Sequence, residues 1–150
     1  MKFKITNYQK LEKDELYAML ALRQKVFIVE QSCHYLDIDD YDQVNRHVML
    51  LVDDELIGYA RIIAPGNHFN EASFGRFLIA KEHRGQGLAD KLIQTVLEDI
   101  KKQHGDVAIR IEAQDYLTSF YKKYGFVPIS EPYDLDGISH IAMLKTQTQK

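Results

Sequence analysis

A mixed α/β domain, one sheet with helices packed against it, is the fold that this 150-residue sequence predicts. Three observations carry the prediction. Apolar residues switch between strand-like alternation and helical spacing several times along the chain. The resulting order is strand, helix, three strands, helix, strand, helix, two strands. No internal repeat and no linker-like stretch divides the chain, whose length suits one domain better than two.

Lys2 to Tyr8 reads as the first strand, with Phe3 and Ile5 on one face. From Leu11 the period changes. Leu16, Met19, Leu20, Val26 and Phe27 recur at helical intervals, with Lys13, Asp14 and Glu15 early in the run, so a helix covers most of Glu12 to Glu30. Ser32 to Asn45 is acidic and irregular and reads as a surface loop, with Asp37, Asp39, Asp40 and Asp42 solvated. His47 to Val52 and Leu56 to Ala64 form a hairpin around Asp53, Asp54 and Glu55. After the break at Pro65, Gly66 and Asn67, Ser73 to Ala80 is the fourth strand. Gly87 to Gln103 is the clearest helix: Leu88, Leu92, Ile93, Val96 and Ile100 share a face, and Lys101 and Lys102 sit at the end where cations complement the dipole. Val107 to Ala113 alternates, with Ile109 and Ile111 on one side and Arg110 and Glu112 on the other. Asp115 to Tyr124 is a short helix stopped at Gly125. Phe126 to Ile129 and Ile138 to Leu144 complete the sheet, and a polar tail covers residues 146 to 150.

Composition narrows the function. Hydrophobic residues make up 45% and charged residues 27%, ordinary globular usage that excludes disordered and low-complexity classes. A net charge of −3 argues against a nucleic-acid partner, which needs a basic face to neutralise phosphates. The longest aliphatic run, Val48 to Val52, is far short of a membrane span. No signal-peptide pattern opens the sequence, and the single Cys33 agrees with a reducing compartment, so a cytoplasmic location is expected. No metal is expected either. Asp37, Asp39, Asp40 and Asp42 resemble the start of a calcium loop, but the third alternate position is Tyr41, no glycine follows at Asp42, and Val48 stands where the closing glutamate should be.

The segment that carries chemistry follows the fourth strand. Arg84-Gly85-Gln86-Gly87-Leu88-Ala89 turns directly into the strongest helix, whose first amides have no internal partners. Ordinary capping residues are missing there, and Gly85 and Gly87 lack the Cβ that would hold a ligand off the backbone. Amide donors, the positive end of the dipole and the Arg84 guanidinium converge, which suits a phosphate or pyrophosphate. A bland alternative is a turn whose amides are met by water or by Asp90. A dinucleotide fingerprint would need glycine at Asp90, and no P-loop pattern exists.

Those residues resemble the GNAT superfamily of acetyl-CoA-dependent N-acetyltransferases, whose signature is arginine or glutamine, two residues, glycine, one residue, then glycine or alanine. Phe120-Tyr121-Lys122-Lys123-Tyr124-Gly125-Phe126 is similar to the superfamily's aromatic helix and turn after the fifth strand. Val26 to Gln31, Asp37-Ile38-Asp39, Arg46-His47, Ala113-Gln114 and Asp136-Gly137-Ile138-Ser139-His140 resemble the ElaA-like branch. The resemblance implies one GNAT domain over residues 1 to 150, with a mixed, mostly antiparallel sheet of about six or seven strands and helices on both faces. It also implies a V-shaped opening between the fourth and fifth strands. The pantetheine arm of acetyl-CoA would pair with backbone around Leu78 and Ile79, and the pyrophosphate would sit on Arg84, Gly85, Gln86, Gly87, Leu88 and Ala89. Gln114 stands where many members have asparagine; it is a candidate contact to the cofactor.

Acetyl transfer to nitrogen needs a neutral amine, a donor for the oxyanion and a proton for the departing thiolate. The resemblance puts Tyr121 in the general-acid position, against a simple core tyrosine. Glu112 and His140 are candidate bases; Glu112 could instead pair with Arg110 or Arg61. Glu30, Arg61, Arg76 and His47 are candidates for the acceptor side. Arg61 and Arg76 could equally pair with Glu30, Asp37 or Asp39, and His47 could be a packed strand histidine. The expected acceptor is a small-molecule or peptide amine, and a homodimer is allowed. A non-catalytic acyl-CoA or partner-binding module is the rival reading, and a phosphate-ligand protein unrelated to coenzyme A is a third.

Overall fold

The computed structural model describes residues 1–146; the remainder of the expected tail lies outside the described residues. The chain runs β1 (Lys2–Asn7), α1 (Lys13–Arg23), a π-helix (Gln24–Glu30), β2 (Arg46–Val52), β3 (Glu55–Ile63), β4 (Ser73–Ile79), α2 (Leu88–His104), β5 (Ile109–Gln114), α3 (Thr118–Lys122), β6 (Val127–Pro128), β7 (Tyr133–Leu135) and β8 (Ile138–Lys145). Local chemistry sets several boundaries. Glu12 and Glu15 form a reciprocal capping box that starts α1, with the Glu12 amide donating to the Glu15 carboxylate at 2.9 Å. Asp53 and Asp54 both take positive φ, 50° and 64°, the conformation that closes the tight β2–β3 hairpin and that aspartate tolerates. The expected single helix from Glu12 to Glu30 changes winding at Gln24, and its end is closed by wide bonds from the Gln31 amide to the Val26 carbonyl and from the Cys33 amide to the Ile28 carbonyl.

All strand pairings within the sheets are antiparallel, but the one sheet expected is parted in two. β1, β2, β3 and β4 form the first in that order; β5, β8 and β6 form the second, with β7 also on β8. They touch through a lone parallel bridge between Ala72 and Ile109, where the Arg110 amide donates to the Ala72 carbonyl at 2.9 Å. The parting has a local cause. The β3–β4 register slips between Tyr59 and Arg61, so Arg76 and Phe77 bulge opposite Ala60, and Arg76 adopts a φ of 50°. A bulge bends and twists its strand, here drawing β4 away from β5. The short β7 was not anticipated, because Tyr133–Leu135 is too brief and acidic to read as a strand.

Helices cover both faces. Leu92, Ile93, Val96 and Ile100 of α2 pack on Val48, Leu50, Ile57 and Ile62 of the first sheet and on Ile109, Ile111, Ile141 and Met143 of the second, bridging the parted sheets. On the other face Met19, Val26 and Phe27 pack against Met49, Tyr59 and Leu78. Among the described residues, no helix is long and apolar enough to cross a membrane.

The 32–45 loop corrects an expectation. Only Asp40 of its four aspartates is exposed. Leu36 and Ile38 face outward, 84% and 60% exposed, while Asp37, Asp39 and Asp42 turn inward onto three arginines. Arg23 is fully buried and bonds Asp37 at 3.0 Å and Asp42 at 2.7 Å. A buried guanidinium group requires such partners.

Candidate active site

Where β4 and β5 part, a cavity of about 650 Å³ opens, bounded at one end by the start of α2. Gly85 and Gly87 hold φ values of 80° and 75°, and a Cβ at either position would meet nothing within 4 Å. These glycines are therefore required by backbone conformation, and the space above them is open. No side chain caps α2, and the first backbone bond of the helix runs from the Lys91 amide to the Gly87 carbonyl. Asp90, the alternative cap, is engaged by the Tyr124 hydroxyl and by Lys123 at 3.1 Å. Free amides and the helix dipole thus converge on the cavity, an arrangement built for an anion. Gly85, Gly87, Leu88 and Ala89 line it; Gln86 does not.

Arg84 turns across the opening rather than standing free. Its Nε donates to the Ile79 carbonyl at 2.8 Å, and its terminal nitrogens donate to Glu30 at 2.6 and 3.1 Å. Gln31, next along, meets Gln114 at the end of β5 in reciprocal amide bonds of 3.3 Å. The π-helix thereby places two successive side chains on the two arms of the cleft, Glu30 toward β4 and Gln31 toward β5. Leu78 and Ile79 line the β4 side.

Tyr121 lies deeper. Its ring packs among Phe74, Phe77, Phe120 and Phe126 with centroids 5.2–6.2 Å away, and the residue is 5% exposed. Tyr121 lines the cavity, and its hydroxyl makes no hydrogen bond among the described residues. Burial pushes the phenol well above its ordinary value, so it stays protonated at neutral pH, the form able to donate.

The opposite face of the second sheet lines the far half of the cavity. Glu112, Gln114 and His140 share that face, Gln114 being the register partner of His140. His140 Nδ1 lies 2.8 Å from the Ile138 carbonyl and its ring stacks on Tyr133 at 6.3 Å. A carbonyl can only accept, so Nδ1 carries a proton, and the neutral tautomer compatible with that bond is the one with its lone pair on Nε2. Arg61 and Arg76 line this half too, but each is occupied. Arg61 bonds Asp39 at 2.7 and 2.8 Å and Asp42 at 3.0 Å; Arg76 lies 2.7 Å from Asp37 and 3.1 Å from Asp39. Burial raises the Asp39 and Asp42 carboxyls, and the guanidinium groups outweigh it and hold both below the ordinary range.

His47 is not brought to the cavity, which corrects its place among acceptor candidates. It is fully buried, with Nδ1 2.5 Å from the Tyr59 hydroxyl and Nε2 2.9 Å from the Asp42 carbonyl. Burial lowers its pKa and keeps the ring neutral. In β2 it is followed by the apolar run Val48 to Leu51, and its two ring nitrogens are both met within the protein, as in a packed strand histidine. Sequence reasoning also missed Gln31 and Asp136 as lining residues. Both sit within stretches singled out by family resemblance, Val26 to Gln31 and Asp136 to His140, which was the available signal.

Comparison with known proteins agrees with this geometry. The acetyltransferase (GNAT) domain family matches residues 9–147. Protein ElaA of Escherichia coli is 37% identical over 145 residues, 95% of each chain. The crystal structure of an acyl-CoA N-acyltransferase from Pseudomonas aeruginosa superposes with a TM-score of 0.93 at 35% identity, covering 97% of this chain and 99% of that one. The crystal structure of E. coli ElaA gives 0.91 at 35% identity, with 96% and 98% covered. An uncapped glycine turn at a helix start, a cleft between parted strands and a family match over nearly the whole length lead to one conclusion: this chain belongs to the GNAT acetyltransferase family, whose activity class is acyl-CoA-dependent acyl transfer.

Proposed function

We propose that the chain is a cytoplasmic, single-domain N-acetyltransferase that moves the acetyl group of acetyl-CoA directly to a primary amine within a ternary complex. The observation that carries this reading is the row of uncapped amides at the start of α2, opening on the same cavity as the unpartnered Tyr121 hydroxyl. The residues fit coenzyme A: open space above Gly85 and Gly87 admits a diphosphate, and the edge of β4 at Leu78 and Ile79 can receive the pantetheine amides. Acetyl-CoA supplies the activated thioester; the remaining work belongs to the protein.

In this reading His140 takes a proton from the amine through Nε2, and the free lone pair there favours it over the exposed Glu112. The amine nitrogen bonds the carbonyl carbon, a backbone amide near Ile79 holds the oxyanion, and the carbon–sulfur bond breaks as Tyr121 donates its proton to sulfur. His140 then releases its proton to solvent and a proton from solvent restores the phenol, which returns both groups to their starting forms. Gln114 and Glu30 border the path, Glu30 through its pair with Arg84. Aromatic packing around Tyr121 excludes water from the thioester.

Thiol release from acetyl-CoA, measured against amines, polyamines, amino acids and peptides with mass spectrometry of the product, tests the proposal. Amine-dependent thiol release with an acetylated product is expected. Tight acetyl-CoA binding with no transfer to any amine would overturn it in favour of a binding module.

A further inference from the structure

Two helices of this chain carry an acid at the third position after the cap, and the two acids behave oppositely. In α1 that residue is Glu15, whose carboxylate turns back to accept the Glu12 amide at 2.9 Å and closes the capping box. In α2 the cap is Gly87 and the third residue is Asp90. By the same geometry Asp90 should turn back onto the free amides that precede it. It does not. No amide among the described residues donates to Asp90, and the amides of Gly87, Leu88, Ala89 and Asp90 donate to no protein group there. The turn that follows α3 holds the carboxylate instead. The Tyr124 hydroxyl and the Lys123 ammonium, the latter at 3.1 Å, donate to the same Asp90 oxygen. That hydroxyl first, and then Lys123, hold the Asp90 carboxyl below the ordinary carboxylate range, so it is anionic at neutral pH. Both donors are themselves placed by packing. Lys123 Nζ lies over the Phe120 and Tyr124 rings at 5.1 and 5.8 Å, and those two rings are 5.7 Å apart.

We infer that Tyr124 and Lys123 are positioning residues for the cofactor: they hold Asp90 off the start of α2 and so keep its amides open for the diphosphate. This inference rests on the assignment of those amides to acetyl-CoA, but it concerns two residues that do not line the cavity. A carboxylate and a diphosphate seek the same donors. An unrestrained Asp90 has two effects on an anion arriving at α2, since it occupies amides that the anion needs and repels it at close range. Restraint by a neutral hydroxyl removes the first effect. The Lys123 charge beside the same oxygen offsets the second. A simple tether between α2 and the turn after α3 would use the same contacts, but it makes a different forecast: removing Asp90 would then do the same harm as removing its partners. Under the positioning role, removing Asp90 does no harm at all.

The test removes the restraint and then the acid. In the double variant Lys123→Gln, Tyr124→Phe the phenylalanine keeps its ring on Phe120, Asp90 is released, and the Kd for acetyl-CoA in calorimetric titration rises about fivefold to tenfold. Asp90→Ala alone leaves that Kd unchanged or lowers it. Adding Asp90→Ala to the double variant recovers most of the lost affinity. The charge lost with Lys123 acts whether or not Asp90 is present, so the difference between the two backgrounds reads Asp90 alone. A second measurement needs no cofactor. Solvent exchange of the amide protons of residues 87 to 90, followed by magnetisation transfer from water, slows in the double variant and returns to its original rate when Asp90→Ala is added. Unchanged exchange in the double variant would overturn the inference. So would a loss of affinity that Asp90→Ala fails to recover, or Asp90→Ala alone weakening acetyl-CoA as much as the double variant does. Slowed exchange with unchanged affinity would leave the restraint on Asp90 standing and remove the assignment of these amides to the diphosphate instead.

Discussion

Replacing Gly87 with alanine separates two roles that the turn performs at once. Gly87 sits at φ 75° and ψ 12°, left-handed backbone just before α2. An L-residue there costs roughly 1–2 kcal/mol. No protein atom lies within 4 Å of the added Cβ, so no clash adds to that figure. For a chain of this size each kcal/mol corresponds to about 2–4 °C, giving an expected fall in Tm of about 2–8 °C. The methyl group would also stand over the amides proposed to receive the diphosphate. Loss of one hydrogen bond to a charged group is worth roughly 1.5–3 kcal/mol, so the Kd for acetyl-CoA should rise about tenfold to a hundredfold. Gly87→Asn is the control: asparagine tolerates left-handed backbone, so Tm should fall less while affinity falls as much. Thermal unfolding by circular dichroism and calorimetric titration of acetyl-CoA measure the two effects. A lowered Tm with unchanged affinity in both variants would refute the assignment of these amides to the diphosphate.

Tyr121→Phe removes a hydroxyl that bonds no group among the described residues, so Tm and the Kd for acetyl-CoA should hold while kcat falls about a hundredfold or more; equal kcat across the pH range would remove the acid role. Arg23→Met leaves Asp37 and Asp42 buried without their shared partner and should cost about 3–5 kcal/mol in urea denaturation, a loss that Asp42→Asn in the same chain should partly restore. His47 has a folded pKa below its unfolded 6.5, so the stability it contributes is present above about pH 6.5 and lost as pH falls toward its folded value. His47→Gln should flatten that part of a stability–pH curve, and an unchanged slope would count against burial of a neutral ring. Asp39 and Asp42 act in the same direction lower down. Their folded pKa values lie below the unfolded 3.8, so their contribution is lost only as the solution is acidified below about pH 4.

Much of the site was readable because its parts are local. The glycine turn, the helix it opens and the Phe120–Phe126 aromatic segment each act through neighbours in sequence, and their residue types reveal them. The 32–45 loop shows the opposite case. Asp37, Asp39 and Asp42 look like a solvated acidic stretch, and their partners Arg23, Arg61 and Arg76 lie in three other elements. Nothing local distinguishes an aspartate facing water from one facing a buried guanidinium. The same holds for His47, whose hydroxyl partner Tyr59 is on the adjoining strand, and for Arg84, whose carboxylate partner Glu30 is 54 residues away.

Periodicity and turn chemistry, properties of neighbouring residues, determined most of the order of elements and the uncapped glycine start of α2, and motif resemblance pointed to the family. The parting of the sheet at the Arg76 bulge and the pairing of Arg23, Arg61 and Arg76 with Asp37, Asp39 and Asp42 were decided only when segments distant in sequence came together. Ion pairing and desolvation depend on which groups share a space, and that arrangement exists only in the folded chain.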